Sequence, residues 1–226
     1  MSRSPVRDFV LLWTLTVLAC LGMPNAAPAA ESGQDEEEFV SLFNGEDLSQ
    51  WKGATHIYFV RDGAIVCPAL AGNKVDRSKT WNLYTEKEYA NFIFRFEFRL
   101  SPKANNGLSI RVPFGQADNE LQIVDDAAMT AQGRQPYQFH GSIYGMVPAE
   151  QGHQKPAGEW NSQEVVADGR RITVKLNGAT IVDVDDLDET VSQQRSGWKR
   201  PKGHLCFKGH SGPPLEFRNI RIKELD

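Results

Sequence analysis

Cysteine is scarce in this sequence, net charge is small, helix signals are few, and no apolar run is long enough to cross a bilayer comfortably. Each shortage excludes something. Three cysteines in 226 residues cannot build a disulfide framework. With 25 Lys and Arg against 29 Asp and Glu, there is no basic excess of the kind that marks a nucleic-acid binder. The apolar run at residues 9–21 is too short to span a membrane. What remains is a chain rich in short alternating segments and Gly-centred turns, which reads as all-β.

The run at 9–21 follows Arg3 and Arg7 and is broken by Pro24, the pattern of an export signal. Ala27-Pro28-Ala29 places small residues where a signal peptidase reads, so cleavage is expected after Ala29, and the protein is expected in the periplasm or secreted. Val17-Leu18-Ala19-Cys20 is an alternative, a lipidation site that would anchor the chain through Cys20, although Leu18 fits that motif poorly. Residues 30–38 form an acidic leader with Glu31 and Asp35 to Glu38, and residues 39–226 form one domain. Without signal and leader the domain holds 23 bases and 23 acids, which suits a neutral partner. Cys67 and Cys206 remain as one bridge or two buried thiols.

Alternation locates the strands. In 91–100, Phe92, Phe94, Phe96, Phe98 and Leu100 alternate with Ile93, Arg95, Glu97 and Arg99, so the phenylalanines fill the space between two sheets and the charges face outward. Asp62-Gly63 and Asn177-Gly178 are tight-hairpin signals. Segments 127–138, 145–158 and 185–202 lack periodicity and are expected as loops; a short strand is expected at 140–144.

Residues 105–126 carry the chemistry. They read as two strands joined by a polar loop, with Leu108, Ile110, Leu121 and Ile123 on one face and Gly107, Ser109, Arg111, Glu120 and Gln122 on the other. Core packing explains the first face. It gives no reason to gather a cation, a carboxylate and an amide on the second, which therefore reads as a binding surface. If strand 91–100 neighbours this pair, Glu97 and Arg99 lie near Ser109 and Arg111; the other reading of those charges is a surface ion-pair ladder.

Taken in order, Leu42-Phe43-Asn44-Gly45 with Leu48 and Trp51, Phe92 to Arg99, Asn106-Gly107 with Arg111, Glu120-Leu121-Gln122-Ile123 with Asp125, and Gly141-Ser142-Ile143-Tyr144 form a specific series. Gly158-Glu159-Trp160-Asn161, Leu176-Asn177-Gly178, His210 and Phe217-Arg218-Asn219-Ile220 continue it. This series resembles the 3-keto-disaccharide hydrolase family over residues 39–225. The resemblance implies a concanavalin A-like jelly-roll sandwich of two antiparallel sheets, with an oligosaccharide or glycoside bound on a sheet face. It also implies cleavage of sugars whose C3 hydroxyl is already a ketone, which acidifies the C2 hydrogen and permits elimination through an enolate.

That chemistry needs a base, an oxyanion partner and a proton donor. The candidates are Glu120, Asp125, Glu97 and His210 as base or acid and Arg111 for the oxyanion. Gln122, Ser109, Tyr144, Trp160, Asn161, Lys208 and His140 are candidates for binding substrate. Lys208 departs from the family pattern, which has Gln two residues before the His at 210, and bears on substrate charge preference. Glu120, Asp125, Asp126, His140 and His210 could hold a divalent metal or form a solvated acidic rim. A retaining glucanase is a rival reading, but Gln122 stands where its central carboxylate is needed. A non-catalytic carbohydrate-binding module is the other rival. Glu97, Arg111, Glu120 and His210 together favour an enzyme.

Overall fold

The computed structural model describes residues 38–69, 81–187, 197–210 and 212–226. The expected signal, the Cys20 anchor and all but the last residue of the leader lie outside these residues. The strands are β1 (Val40–Ser41), β2 (Trp51–Gly53), β3 (Phe59–Arg61), β4 (Ala64–Cys67), β5 (Leu83–Thr85), β6 (Asn91–Leu100) and β7 (Asn105–Val112). They continue with β8 (Glu120–Val124), β9 (Trp160–Asp168), β10 (Arg171–Leu176), β11 (Ala179–Val184), β12 (His204–Lys208) and β13 (Leu215–Leu225). Among the described residues every ladder is antiparallel. One sheet has the order β11-β10-β9-β6-β13-β4-β3, with β1 also on β13; the other runs β2-β5-β12-β7-β8. This is the expected all-β sandwich.

Strand β6 shows why the layers form. Its five alternate apolar side chains are buried while the intervening ones stay half-exposed, so one face needs a second sheet to cover it. Leu108, Ile110, Leu121, Ile123 and Phe207 of the other sheet do so, and the Phe207 ring stacks on Phe217 with centroids 3.8 Å apart. Burying each phenylalanine stabilises the fold by about 2 kcal/mol before entropy is charged. Asp62 and Gly63, like Asn177 and Gly178, all have positive φ, as two-residue hairpin loops between right-twisted strands require.

The neighbours of β6 are β9 and β13, not β7 of the opposite sheet. Its outward charges therefore form a ladder of ion pairs away from Ser109 and Glu120. Arg95 and Lys175 hold Glu164 at 2.6 and 2.8 Å, Glu97 receives Arg218 at 2.6 Å, and Arg61 and Arg99 share Glu216. Segment 127–138 is also not simply a loop: α1 (Asp126–Ala131) opens it and a 3-10 turn (Pro136–Gln138) closes it. Segment 140–144 forms bridges rather than a named strand. Cys67 and Cys206 are buried free thiols.

Candidate active site

Because Leu83, Leu108, Leu121 and Phe207 point into the core, their neighbours in sequence face outward. Pairing brings those neighbours into rows across the second sheet. One row runs Lys52, Tyr84, Cys206, Ser109, Glu120, and Tyr144 extends it through its backbone N–H to the Glu120 carbonyl at 3.0 Å. The next row holds Lys208, Gly107 and Gln122, with Ser142 accepting the Gln122 N–H at 3.0 Å.

Glu120 and Lys208 belong to different rows and to strands separated by β7, yet the Lys208 Nζ lies 2.6 Å from Glu120 Oε2. The carboxylate reaches it by lying across Gly107. A Cβ at position 107 would fall inside contact distance of Glu120 Cγ, Cδ and Oε1; only a residue without one lets the side chain cross. The Glu120 and Lys208 side chains keep 15% and 23% of their surface in water. This is an acid–cation pair held on a sheet face with access from solvent.

The flank is equally fixed. Gln122 Nε2 donates to the Gln138 carbonyl at 3.4 Å, and Gln138 Nε2 donates to the Tyr144 hydroxyl at 3.1 Å. Ser142 Oγ donates to the Pro136 carbonyl and accepts the Ala149 N–H. The 3-10 turn is thereby tied to β8 beside Glu120. Ser109 lies beneath, fully buried, and its hydroxyl has no hydrogen-bond partner among the described residues. His210 is exposed two residues beyond β12.

The remaining candidates are elsewhere. Arg111 has φ +51° at a bulge where the β7–β12 register shifts, so it leaves the Ser109 face and Val112 takes its place over Cys206. Its guanidinium donates to the Ala90 and Gly169 carbonyls at 2.7 and 2.6 Å and to Asn91 Oδ1 at 3.1 Å. It braces loops of the other sheet. Glu97 and Trp160 are on the outer face of the first sheet, where the guanidinium carbons of Arg99 and Arg218 lie 4.7 and 4.0 Å from the indole. Asn161 is buried and ties Lys155 N–H to the Asn177 amide.

Asp125 follows β8 at its far end and caps α1: one oxygen accepts from Ala127 N–H at 3.1 Å and the other from Lys103 N–H at 2.8 Å. Four residues of strand separate it from Glu120, roughly 16 Å at the usual rise. His140 is in the core, stacked on Phe98 with centroids 4.7 Å apart, and its backbone N–H donates to Asp126 at 2.8 Å. Neither imidazole nitrogen has a well-formed hydrogen bond among the described residues, nor does the Gln163 amide, although Gln163 stands close enough to favour the charged ring slightly. Burial wins and pushes His140 down to about 4. Asp126 is pushed up to about 6, first by burial and less by Asp125.

The five carboxylates and imidazoles considered for a metal are thus spread over the sheet face, the start of α1, the core and the exposed segment after β12. Among the described residues no three His, Cys, Asp or Glu side chains gather closely enough to hold a metal ion. Sequence reasoning selected both Glu120 and Lys208 but missed Gly107 as the crossing point and Gln138 as the residue that orients Tyr144. A glycine inside a strand pattern was the available signal for the first.

Comparison with known proteins adds three findings. A family described as the 3-keto-alpha-glucoside-1,2-lyase-like domain matches residues 38–223. A 3-keto-disaccharide hydrolase of Bacteroides thetaiotaomicron is 21% identical over 236 residues, covering 85% of this chain and 80% of that protein. Two solved structures of candidate glycosyl hydrolases from Parabacteroides distasonis share the fold. The first has TM-score 0.70 and 25% identity, covering 87% of this chain and 98% of the other. The second has TM-score 0.67 and 24% identity, covering 83% and 99%.

Proposed function

The chain belongs to the 3-keto-alpha-glucoside-1,2-lyase-like family, and from that membership we propose that it cleaves glycosides already oxidised at C3, using Glu120 as base and Lys208 as its cationic partner. The observation that carries the reading is the Glu120–Lys208 pair, 2.6 Å apart across Gly107, with both side chains part-exposed to solvent. The names of the relatives support the sugar class.

In this reading Glu120 removes the C2 proton, and the electron pair moves into the C2–C3 bond to leave an enolate on the C3 oxygen. The Lys208 ammonium stabilises that oxygen in a partly desolvated setting, where a preplaced charge is most effective. The enolate then reforms the C3 carbonyl, a C1–C2 double bond forms, and the C1–O bond breaks. The leaving oxygen takes a proton, returned by Glu120 or given by Tyr144 through its fixed hydroxyl. Addition of water, with OH at C1 and H at C2, gives the 3-keto sugar and completes a net hydrolysis.

The test is incubation of the purified protein with 3-keto-trehalose and with trehalose, following glucose release. Release from the keto sugar alone, lost about 100-fold or more in Glu120→Gln, is the expected result. Release from both sugars would replace this chemistry with ordinary glycoside hydrolysis, and release from neither, with sugar binding still detected by calorimetry, would make this a binding module.

A further inference from the structure

The loop between β7 and β8 presents a phenylalanine to solvent and packs part of its ring against neighbouring side chains. Phe114 is 57% exposed, which by itself is unremarkable for one apolar side chain. Its mounting is not. One side of the ring packs on Tyr84, centroids 5.1 Å apart, with His204 edge-on at 6.5 Å and the Lys52 ammonium 5.3 Å from its centre. Ala117 of the same loop packs over Tyr84, Val112 and Cys206.

The loop is also clamped from outside. Arg200 forms two parallel bonds to the Asp118 carboxylate, both 2.8 Å, and a third to Gln116. Asn119 donates to the Ile110 and Gly197 carbonyls, and a Cβ at Gly197 would strike Asp118, Asn119 and Arg200. So much anchoring is not required to cover one tyrosine and one thiol. It places a part-exposed aromatic ring in advance of contact, which lowers the ordering cost of binding.

Tyr84, beneath Phe114, lies in the same cross-strand row as Glu120, three strands away. At about 4.8 Å per strand the separation is roughly 14 Å, too far for the ring being cleaved and suited to a sugar further along the chain. The C–H face of a pyranose stacks on an aromatic ring, and the Lys52 ammonium, which donates one bond to the Glu86 carbonyl at 3.2 Å, has further N–H groups to offer a hydroxyl. We propose that Phe114 and Lys52 form a remote subsite for the leaving side of an extended oligosaccharide held at Glu120 and Lys208, the sugar chain crossing above Ala117, which covers Cys206 between them. This rests on the function proposed above.

The experiment compares wild type with Phe114→Ala and Phe114→Trp on glucosides oxidised at C3 of the non-reducing glucose. Keto-maltose and keto-cellobiose serve as short probes, keto-maltotetraose and keto-cellotetraose as long ones. Wild type should favour at least one tetrasaccharide in kcat/KM. Phe114→Ala should remove roughly tenfold of that preference while leaving the disaccharide rate unchanged, and Phe114→Trp should restore it. Equal losses on short and long substrates, or no loss on either, would overturn the subsite.

If no keto sugar is cleaved, the proposed function fails, and calorimetry with unoxidised maltotetraose and cellotetraose decides the subsite separately. Binding weakened about tenfold in Phe114→Ala sustains it; equal affinity, or no binding, removes it.

Discussion

Replacing Asp126 by Asn should expose a pH dependence that the native protein hides. Asp126 is raised from 3.8 to about 6 and His140 is lowered from 6.5 to about 4. Between those limits the folded state holds a proton on Asp126 that the unfolded chain has released, so this group makes stability fall as pH rises from about 4 to about 6. His140 acts oppositely: the unfolded chain binds a proton that the folded core refuses, so stability rises from about 4 to about 6.5. At ~1.36 kcal/mol for each pH interval the pKa is displaced, each contribution is about 3 kcal/mol, and the two nearly cancel.

Asp126→Asn keeps an acceptor for the His140 N–H and removes only the titration. The stability of the variant minus that of wild type should therefore rise by about 3 kcal/mol between pH 4 and pH 7, a relative Tm gain of roughly 6–12 °C for a domain of this size. Taking the difference cancels the depressed carboxyls both proteins share, such as Glu164 and Glu216. The assay is urea unfolding at half-unit pH steps. A difference that stays flat with pH, or that falls, would refute the burial argument for Asp126.

Gly107→Ala should leave unfolding within about 1 kcal/mol of wild type, because the atoms it meets belong to one flexible side chain and a part-exposed ion pair contributes little. Displacing the Glu120 carboxylate should nevertheless lower kcat about 100-fold, measured by product release from 3-keto-trehalose. Asp125→Ala should cost about 1 kcal/mol in urea unfolding through loss of the α1 cap, with kcat within twofold of wild type. Glu97→Gln, on the opposite sheet, should leave kcat/KM within twofold; a tenfold loss would mean that the two sheet faces are coupled.

How much of this was legible in the sequence depended on the range of the interaction that decides it. The burial of Phe92 to Leu100 follows from alternation alone, and the Asn177-Gly178 turn from its own backbone preference, so both were readable locally. For Glu97 the sequence leaves two readings open, a place near Ser109 or a surface ion-pair ladder, and the ladder is decided by pairing with residues 161–163 and 217–218, far along the chain. Arg111 illustrates a different limit: strict alternation puts it with Ser109, and one bulge residue turns it away. Asp125 looks like an acid in the sequence and is a helix cap because Ala127 and Lys103 offer it two N–H groups. Glu120 and Lys208, 88 residues apart, were each selectable by type, but their contact depends on Gly107 and could be seen only once the strands were paired.

The most direct test of the Glu120–Lys208 chemistry is cleavage of 3-keto-trehalose in D2O, with mass analysis of the released 3-keto-glucose and an enzyme-free control for spontaneous exchange. Elimination followed by hydration predicts one solvent deuterium at C2 of the enzymatic product, and Glu120→Gln should abolish its formation. Product formed at the full rate with hydrogen retained at C2, or an undiminished rate in Glu120→Gln, would contradict the account.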